Sequence, residues 1–145
     1  TLADGTLIAI DYGVIETGSD LSPEARLEII YNHIVSIMNL HSLEGAAVEK
    51  LFFQKNVKTA MMVGQARGVI LLALAQKRLP IFEFNPMEVK LAVTGYGHAE
   101  KKQVQLMVKT LLNLQEIPEP DDAADALAVA ICHLQSNDYL KKVLN

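Results

Sequence analysis

The chain has 145 residues, of which 50% are hydrophobic and 21% are charged. This length suits one compact domain, and the composition is too apolar for an intrinsically disordered chain. Thirteen Lys and Arg oppose 17 Asp and Glu, so the net charge of −4 lacks the basic surplus of typical nucleic-acid-binding domains. The longest run without polar side chains, Gly68–Ala75, is shorter than the ~18–20 residues that span a bilayer. With no visible secretory signal and one cysteine, Cys132, the sequence predicts a soluble cytoplasmic protein without a membrane segment.

The first half of the chain alternates between strand and helix patterns. Residues Thr6–Thr17 are rich in β-branched and aromatic side chains, which predicts an interior strand. Ser22 followed by Pro23 is typical of a helix start, and apolar residues then recur every three or four positions to Met38. A second strand is predicted over residues 45–53. The following helix, Asn56–Lys77, is apolar nearly all round, so we expect a second surface, such as another subunit, to cover it.

The second half continues the same alternation. Pro80–Phe84 predicts a short strand, and Asn85 followed by Pro86 predicts another helix start. A glycine-rich loop precedes an amphipathic helix over Glu100–Leu114. Two prolines then interrupt the chain before an alanine-rich helix over Asp121–Leu134. Strands that alternate with helices favour an α/β fold with parallel strand pairs, in a single domain over residues 1–145.

Three acidic residues stand out for their positions. Asp122 and Asp125 are three apart at a predicted helix start, so their carboxylates share a helix face. A helix cap explains one aspartate there, at Asp121 or Asp122, but not Asp125. Glu49 interrupts an apolar strand, where it is either solvent-facing, paired or held by a metal ion. Together Glu49, Asp122 and Asp125 would form an oxygen-only site that suits Mg²⁺ or Mn²⁺.

A local basic surface accompanies these acids. Lys101, Gln105 and Lys109 recur every four residues on one face of a helix, and Lys90 precedes them. An ordinary solvated lysine face would have the same pattern. Beside an acidic cluster, however, lysines that bind phosphate favour metal-dependent phosphodiester chemistry.

These features resemble the RuvC-type Holliday-junction resolvases. The resemblance covers essentially the whole chain and is carried by Val48–Gly68, Phe84–Gln105 and Pro120–His133. It implies a ribonuclease-H-like fold, with a mixed sheet of three antiparallel and two parallel strands between helices on both faces. It also implies a homodimer that cuts four-way DNA junctions by symmetric paired nicks during recombination and repair. Mg²⁺ or Mn²⁺, with two ions per active site about 3.5–4 Å apart, is the implied cofactor. Branch-migration proteins are implied partners, and the implied location is the nucleoid.

The resemblance also assigns roles to individual residues. It implies that Glu49, Asp122 and Asp125 are catalytic metal ligands and that Lys90 and Lys101 contact the DNA backbone. Phe52 matches an aromatic that stacks on bases at the junction centre, although a core phenylalanine beside Phe53 is the simpler alternative.

One part of the family's pattern differs here. The family begins with a strand that contains a fourth catalytic aspartate, followed by two further strands, whereas one strand precedes the first helix of this chain. Ile10–Gly13 superficially matches the opening motif, but Asp11 lies 49 − 11 = 38 residues before Glu49, closer than in the family. We therefore expect the first strand, its aspartate and most of the second strand to be absent. The chain would then be an impaired enzyme or a junction-binding dimer, unless Asp11 takes over the missing role.

Overall fold

A computed structural model describes residues 1–50 and 57–143, with side chains described for residues 1–50 and 59–136. The chain is an α/β protein, as predicted, but two short strands rather than the one predicted precede the first helix. In order they are β1 (Leu2–Ala3), β2 (Thr6–Leu7), α1 (Pro23–Leu40), β3 (Ala46–Glu49), α2 (Val57–Gln76), β4 (Ile81–Phe84), α3 (Pro86–Thr94), α4 (Lys101–Leu111) and α5 (Asp121–Val143). The end of the second predicted strand and Phe52 lie outside the described residues.

The described residues form two compact units. Unit 1 comprises residues 1–14, 47–50 and 83–143, and unit 2 comprises residues 15–46 and 57–82. In unit 1 the helices α3, α4 and α5 pack against one another. Their core is a continuous apolar cluster formed by Val89, Val93, Ala99, Val104, Val108, Leu127, Ala128, Val129, Ile131 and Cys132. The prediction of a single domain over residues 1–145 stays a prediction.

Unit 2 is built from α1 and α2, which pack against each other. The Tyr31 hydroxyl donates to Gln76 Oε1 at 2.6 Å, which ties the C-terminal end of α2 to α1. Along α2, residues 59–76 are long and apolar enough to cross a membrane by length and composition alone. The helix also contains Arg67, and a charged side chain inside a bilayer costs free energy. That the chain has no membrane segment stays a prediction.

Two small sheets are present in the described part of the chain. β1 and β2 pair antiparallel, with Leu2 opposite Leu7 and Ala3 opposite Thr6. β3 and β4 form the second sheet. Ala46 N–H donates to the Pro80 carbonyl at 2.9 Å and Lys50 N–H donates to the Phe84 carbonyl at 2.8 Å. Because residue numbers increase together along both strands, this pair is parallel, as the alternating elements predicted.

The local helix-start signals were correct. Ser22 and Asn85 cap α1 and α3, and each cap is followed by a proline in the first turn. The second cap is a complete capping box, in which Asn85 and Glu88 each accept the other's backbone N–H. α5 runs further than predicted, to Val143, and α4 ends earlier, at Leu111. Two residues beyond α4, Asn113 adopts a positive φ of 51°, which is incompatible with a right-handed helix.

The predicted strand over residues 6–17 was wrong beyond Leu7. Thr6 and Leu7 pair with β1, and Ile8 exchanges backbone hydrogen bonds with Thr1 at 2.9 Å, but residues 9–17 have no ladder partner in the described part of the chain. Ile10 and Tyr12 are 66% and 45% exposed, whereas the predicted interior strand would bury such side chains. A β-branched sequence favours an extended backbone, but a strand also requires a neighbour that accepts its hydrogen bonds.

Candidate active site

Four of the predicted site residues line one open cavity of unit 1. Glu49 is the last residue of β3, Lys90 lies on α3, Lys101 begins α4 and Asp125 lies on the second turn of α5. The cavity has a volume of about 240 Å³, and its apolar lining consists of Pro86, Val89, Val104 and Ala128. Two acids and two bases that are far apart in the sequence therefore face one concave surface.

Small side chains allow this convergence. The first turns of α5 bury Ala123 and Ala124 completely and leave Ala128 only 1% exposed. Alanine contributes little side-chain volume between helices, so α5 can lie close to its neighbours α3 and α4. The alanine-rich composition of this helix thus brings Asp125 to the cavity that Lys90 and Lys101 line.

The two acids of the cavity influence each other. Partial burial and, secondarily, the negative charge of Asp125 raise the pKa of the Glu49 carboxyl above its usual value. Both carboxylates line the same cavity, so their negative charges repel each other. A positive charge placed between them would be stabilised by both.

Lys101 lies between two carboxylates of α5. Its Nζ is 3.1 Å from Asp121 Oδ2 and 3.6 Å from Asp125 Oδ2. The hydrogen bond with Asp121 is the main cause that raises the pKa of Lys101, and it also lowers the pKa of Asp121. Both shifts favour the charged forms, so Lys101 and Asp121 are oppositely charged at neutral pH.

Asp121 has a second partner on α4. Gln105 is 9% exposed and donates its Nε2–H to Asp121 Oδ1 at 2.8 Å. Neither Asp121 nor Gln105 was predicted as a site residue. The signal was nevertheless in the sequence, because Lys101 and Gln105 are spaced by four on α4, as Asp121 and Asp125 are on α5.

Asp122 and Phe52 are the remaining predicted site residues. Asp122 is exposed and is not among the residues that line the cavity, so the structure groups Asp125 with Glu49 but leaves Asp122 outside. Its role as a metal ligand stays a prediction. Phe52 lies outside the described residues.

The cavity offers a partial donor set for a divalent cation. In the part of the chain that the structure describes, no group of three or more His, Cys, Asp or Glu side chains could hold a metal ion. Mg²⁺, however, retains several waters and commonly binds through one or two carboxylates together with substrate phosphates. Glu49 and Asp125, whose charges repel, therefore fit one such ion. The second ion stays a prediction.

Comparison with known proteins identifies the family. The sequence matches the family crossover junction endodeoxyribonuclease RuvC over residues 2–133. This chain belongs to that family. It is 63% identical over 130 residues to the protein of that name from Halothermothrix orenii, covering 90% of this chain and 78% of the relative. It is 49% identical over 140 residues to the one from Roseiflexus sp., covering 97% and 83%.

A solved structure of a family member gives the fold. The structure of Thermus thermophilus RuvC in complex with a Holliday junction substrate matches with a TM-score of 0.86 and 33% identity, over 92% of this chain and 81% of that one. A second Thermus thermophilus RuvC structure matches with a TM-score of 0.77 and 36% identity, over 84% of this chain and 74% of that one. These matches confirm the predicted ribonuclease-H-like fold, of which the described residues show one antiparallel and one parallel strand pair.

Proposed function

We propose that this member of an endodeoxyribonuclease family resolves four-way (Holliday) DNA junctions by metal-dependent hydrolysis of the phosphodiester backbone. One observation carries the proposal: Glu49 and Asp125 face the same cavity as Lys90 and Lys101. Paired carboxylates beside paired ammonium groups suit a reaction that needs both a cation and a phosphate in one place. A family member bound to a Holliday junction supports the choice of substrate.

Each side chain of the cavity has a distinct task in this proposal. Glu49 and Asp125 would hold Mg²⁺ or Mn²⁺, with Asp122 as the predicted third acid. A bound ion would supply Lewis acidity for attack on the phosphodiester. Lys90 and Lys101 would bind the non-bridging oxygens of the phosphate, and Lys101 would exchange its contact with Asp125 for one with the DNA. Phe52 would stack on a base near the junction centre.

The proposal is tested by nicking of a synthetic four-way junction with Mg²⁺, with a linear duplex of the same sequence as the control substrate. Glu49→Gln and Asp125→Asn should each lower the nicking rate by about 10²-fold or more, because metal-assisted catalysis is worth several kcal/mol. Junction binding should persist. Glu116→Gln removes an equal charge outside the cavity and should cleave like the wild type. Wild-type rates in Glu49→Gln or Asp125→Asn would contradict the proposal.

The basic residues allow a complementary binding test. Lys90→Met or Lys101→Met should weaken junction binding and reduce the slope of log K against log salt by about 1, the loss of one phosphate contact. Lys102→Met is the matched control, because Lys102 adjoins Lys101 in sequence but does not line the cavity. Equal slopes for Lys101→Met and Lys102→Met would show that Lys101 has no special contact with the DNA.

A second candidate is a junction-binding or structural dimer without nuclease activity. It is favoured by the cavity itself, to which the described residues contribute two carboxylates rather than the three or four of the predicted metal site. The same assay separates the two candidates. Wild-type chain that binds the junction but makes no nicks with either Mg²⁺ or Mn²⁺ would support this second candidate. Paired symmetric nicks would exclude it.

The proposed partners follow from the same reaction. Symmetric nicks in two opposed strands require two active sites, so we propose a homodimer. Exposed apolar side chains on α2, namely Met61, Met62, Val63 and Leu72, support the predicted role of this helix in dimerisation. Branch-migration proteins are the further proposed partners, and the nucleoid in the cytoplasm is the proposed location.

A further inference from the structure

Lys101 contacts two acidic residues of α5, and these two residues differ in position. Asp125 lines the cavity, whereas Asp121 does not. Asp121 nevertheless lies closer to the ammonium group, at 3.1 Å against 3.6 Å for Asp125. Asp121 lies one helical turn before Asp125 on the same face of α5. The stronger attachment of Lys101 is therefore to the acid outside the cavity.

The Asp121 carboxylate is itself held in place. Its Oδ1 accepts a hydrogen bond from Gln105, and its Oδ2 contacts Lys101, so each oxygen serves one partner. Gln105 is almost fully buried, which restricts its side chain to few conformations. A neutral amide orients the carboxylate without neutralising it, so the negative charge of Asp121 remains available to Lys101.

We propose that Asp121, oriented by Gln105, is a positioning residue that keeps Lys101 at the rim of the cavity during junction cleavage. The inference rests on the proposed function. A second cation at Asp125 would repel the ammonium group of Lys101 and weaken its 3.6 Å contact with Asp125 Oδ2. Asp121 therefore retains the ammonium group near the phosphate whichever partner Asp125 takes. Without Asp121, Lys101 either moves towards Asp125 and competes for its oxygens, or becomes mobile in solvent.

The restraint of Lys101 by Asp121 can be measured by an experiment that does not depend on nuclease activity. Limited acetylation followed by tandem mass spectrometry gives the modification rate of Lys101 relative to its exposed neighbour Lys102, which acts as the internal reference. Asp121→Asn retains an acceptor for Gln105 but loses the charge. It should raise the Lys101-to-Lys102 ratio by about two- to fivefold, the range expected for loss of one exposed ion pair. Gln105→Met, which is similar in size but cannot donate, should raise the ratio less.

The positioning role is measured by single-turnover cleavage at saturating junction. Asp121→Asn should lower the rate about three- to tenfold with little change in junction Kd, because binding persists while the phosphate contact is misplaced. Asp121→Glu should restore part of the rate. In a Lys101→Met background, Asp121→Asn should cause no further loss, since the two residues act as one unit. Glu119→Gln removes an equal charge two residues away and should cleave like the wild type.

Each outcome is decisive. An unchanged acetylation ratio in Asp121→Asn would overturn the inference, and so would an unchanged cleavage rate. If Asp121→Asn lowered the cleavage rate equally in the wild-type and Lys101→Met backgrounds, Asp121 would have a purely structural role at the start of α5. The melting temperature would then also fall in both backgrounds. Failure of the proposed function would look different, because the wild-type chain itself would then cut no junction.

Discussion

Among the described residues, unit 1, which contains α3, α4 and α5, buries more apolar side chains than unit 2, which contains α1 and α2. Unit 1 buries Val108 completely and Ile131 to 1% exposure, within a continuous cluster. Among the described residues of unit 2, Met38, Ala73 and Leu74 are buried, while Leu40 is 78% exposed. Both units are built from amphipathic or apolar helices, so composition alone does not explain the contrast.

The contrast separates two tasks. The proposed function requires Glu49, Lys90, Lys101 and Asp125 to be held in place, and a packed core provides that rigidity. Unit 2 buries few of its described apolar side chains, and those exposed along α2 are as expected of a surface that another protein covers. We therefore expect substitutions in unit 1 to affect stability and chemistry, and substitutions on the exposed face of unit 2 to affect association.

The largest effect on stability is expected in the core of unit 1. Ile131→Ala removes a side chain that is 1% exposed and should lower the free energy of unfolding by about 2–5 kcal/mol. Leu40→Ala, at a position that is 78% exposed in unit 2, should change it by no more than ~0.5 kcal/mol. Denaturant unfolding of both variants measures the difference. Equal losses would show that the two units do not differ in packing as described.

A smaller effect is expected on self-association. Leu72→Glu places a charge on the exposed face of α2 and should raise the dimer Kd by about tenfold or more, which corresponds to ~1.4 kcal/mol. Leu106→Glu is the control, because Leu106 is 55% exposed in unit 1 and Leu72 is 54% exposed in unit 2. Sedimentation equilibrium measures both variants. If Leu106→Glu weakened the dimer more than Leu72→Glu, the proposed assignment of the dimer surface would be wrong.

The helix caps of the two units offer a finer comparison. In unit 1, Asn85 accepts from Glu88 N–H at 2.9 Å and donates its own N–H to Glu88 Oε2 at 2.6 Å. In unit 2, Ser22 Oγ accepts from Ala25 N–H at 3.4 Å. Asn85→Ala should therefore cost about 1 kcal/mol of stability, and Ser22→Ala about 0.5 kcal/mol. Thermal unfolding gives both values, and the reverse order would contradict this interpretation of the cap geometry.

The smallest effect concerns the charge of Glu49 and depends on pH. The pKa of Glu49 is raised in the folded protein, because the folded state disfavours the ionised carboxylate. Ionisation of Glu49 therefore lowers the stability of the fold, and this loss is complete at pH values above the raised pKa. Glu49→Gln should therefore raise the melting temperature at pH 7 without divalent cations by about 1–2 °C, a modest gain because solvent partly screens the charge. The gain should vanish as the pH falls below the usual value of 4.5. Glu44→Gln is the control, because the Glu44 carboxylate lies outside the cavity. If the higher melting temperature of Glu49→Gln persisted in acid, ionisation of Glu49 would not be its cause.

Features that depend on neighbouring residues in the chain were predictable. A cap residue followed by proline located the starts of α1 and α3 correctly, because both signals act within one turn of the helix. The strand predicted over residues 6–17 failed because its hydrogen-bond partner must come from elsewhere in the chain. Glu49 and Asp125 were predicted from residue type and resemblance, and the structure brings them to one cavity.

The sequence by itself determined the α/β alternation, the helix starts and the residues that carry charge, since periodicity and capping are local properties. It also contained the spacing of Lys101 with Gln105 and of Asp121 with Asp125. Only the tertiary structure decided that α5 presents Asp121, rather than Asp122, to Lys101 and Gln105. Successive residues on a helix point about 100° apart, so the choice between neighbouring aspartates depends on how α5 is rotated against α4. Packing of the buried alanines and of Val104 and Val108 sets that rotation.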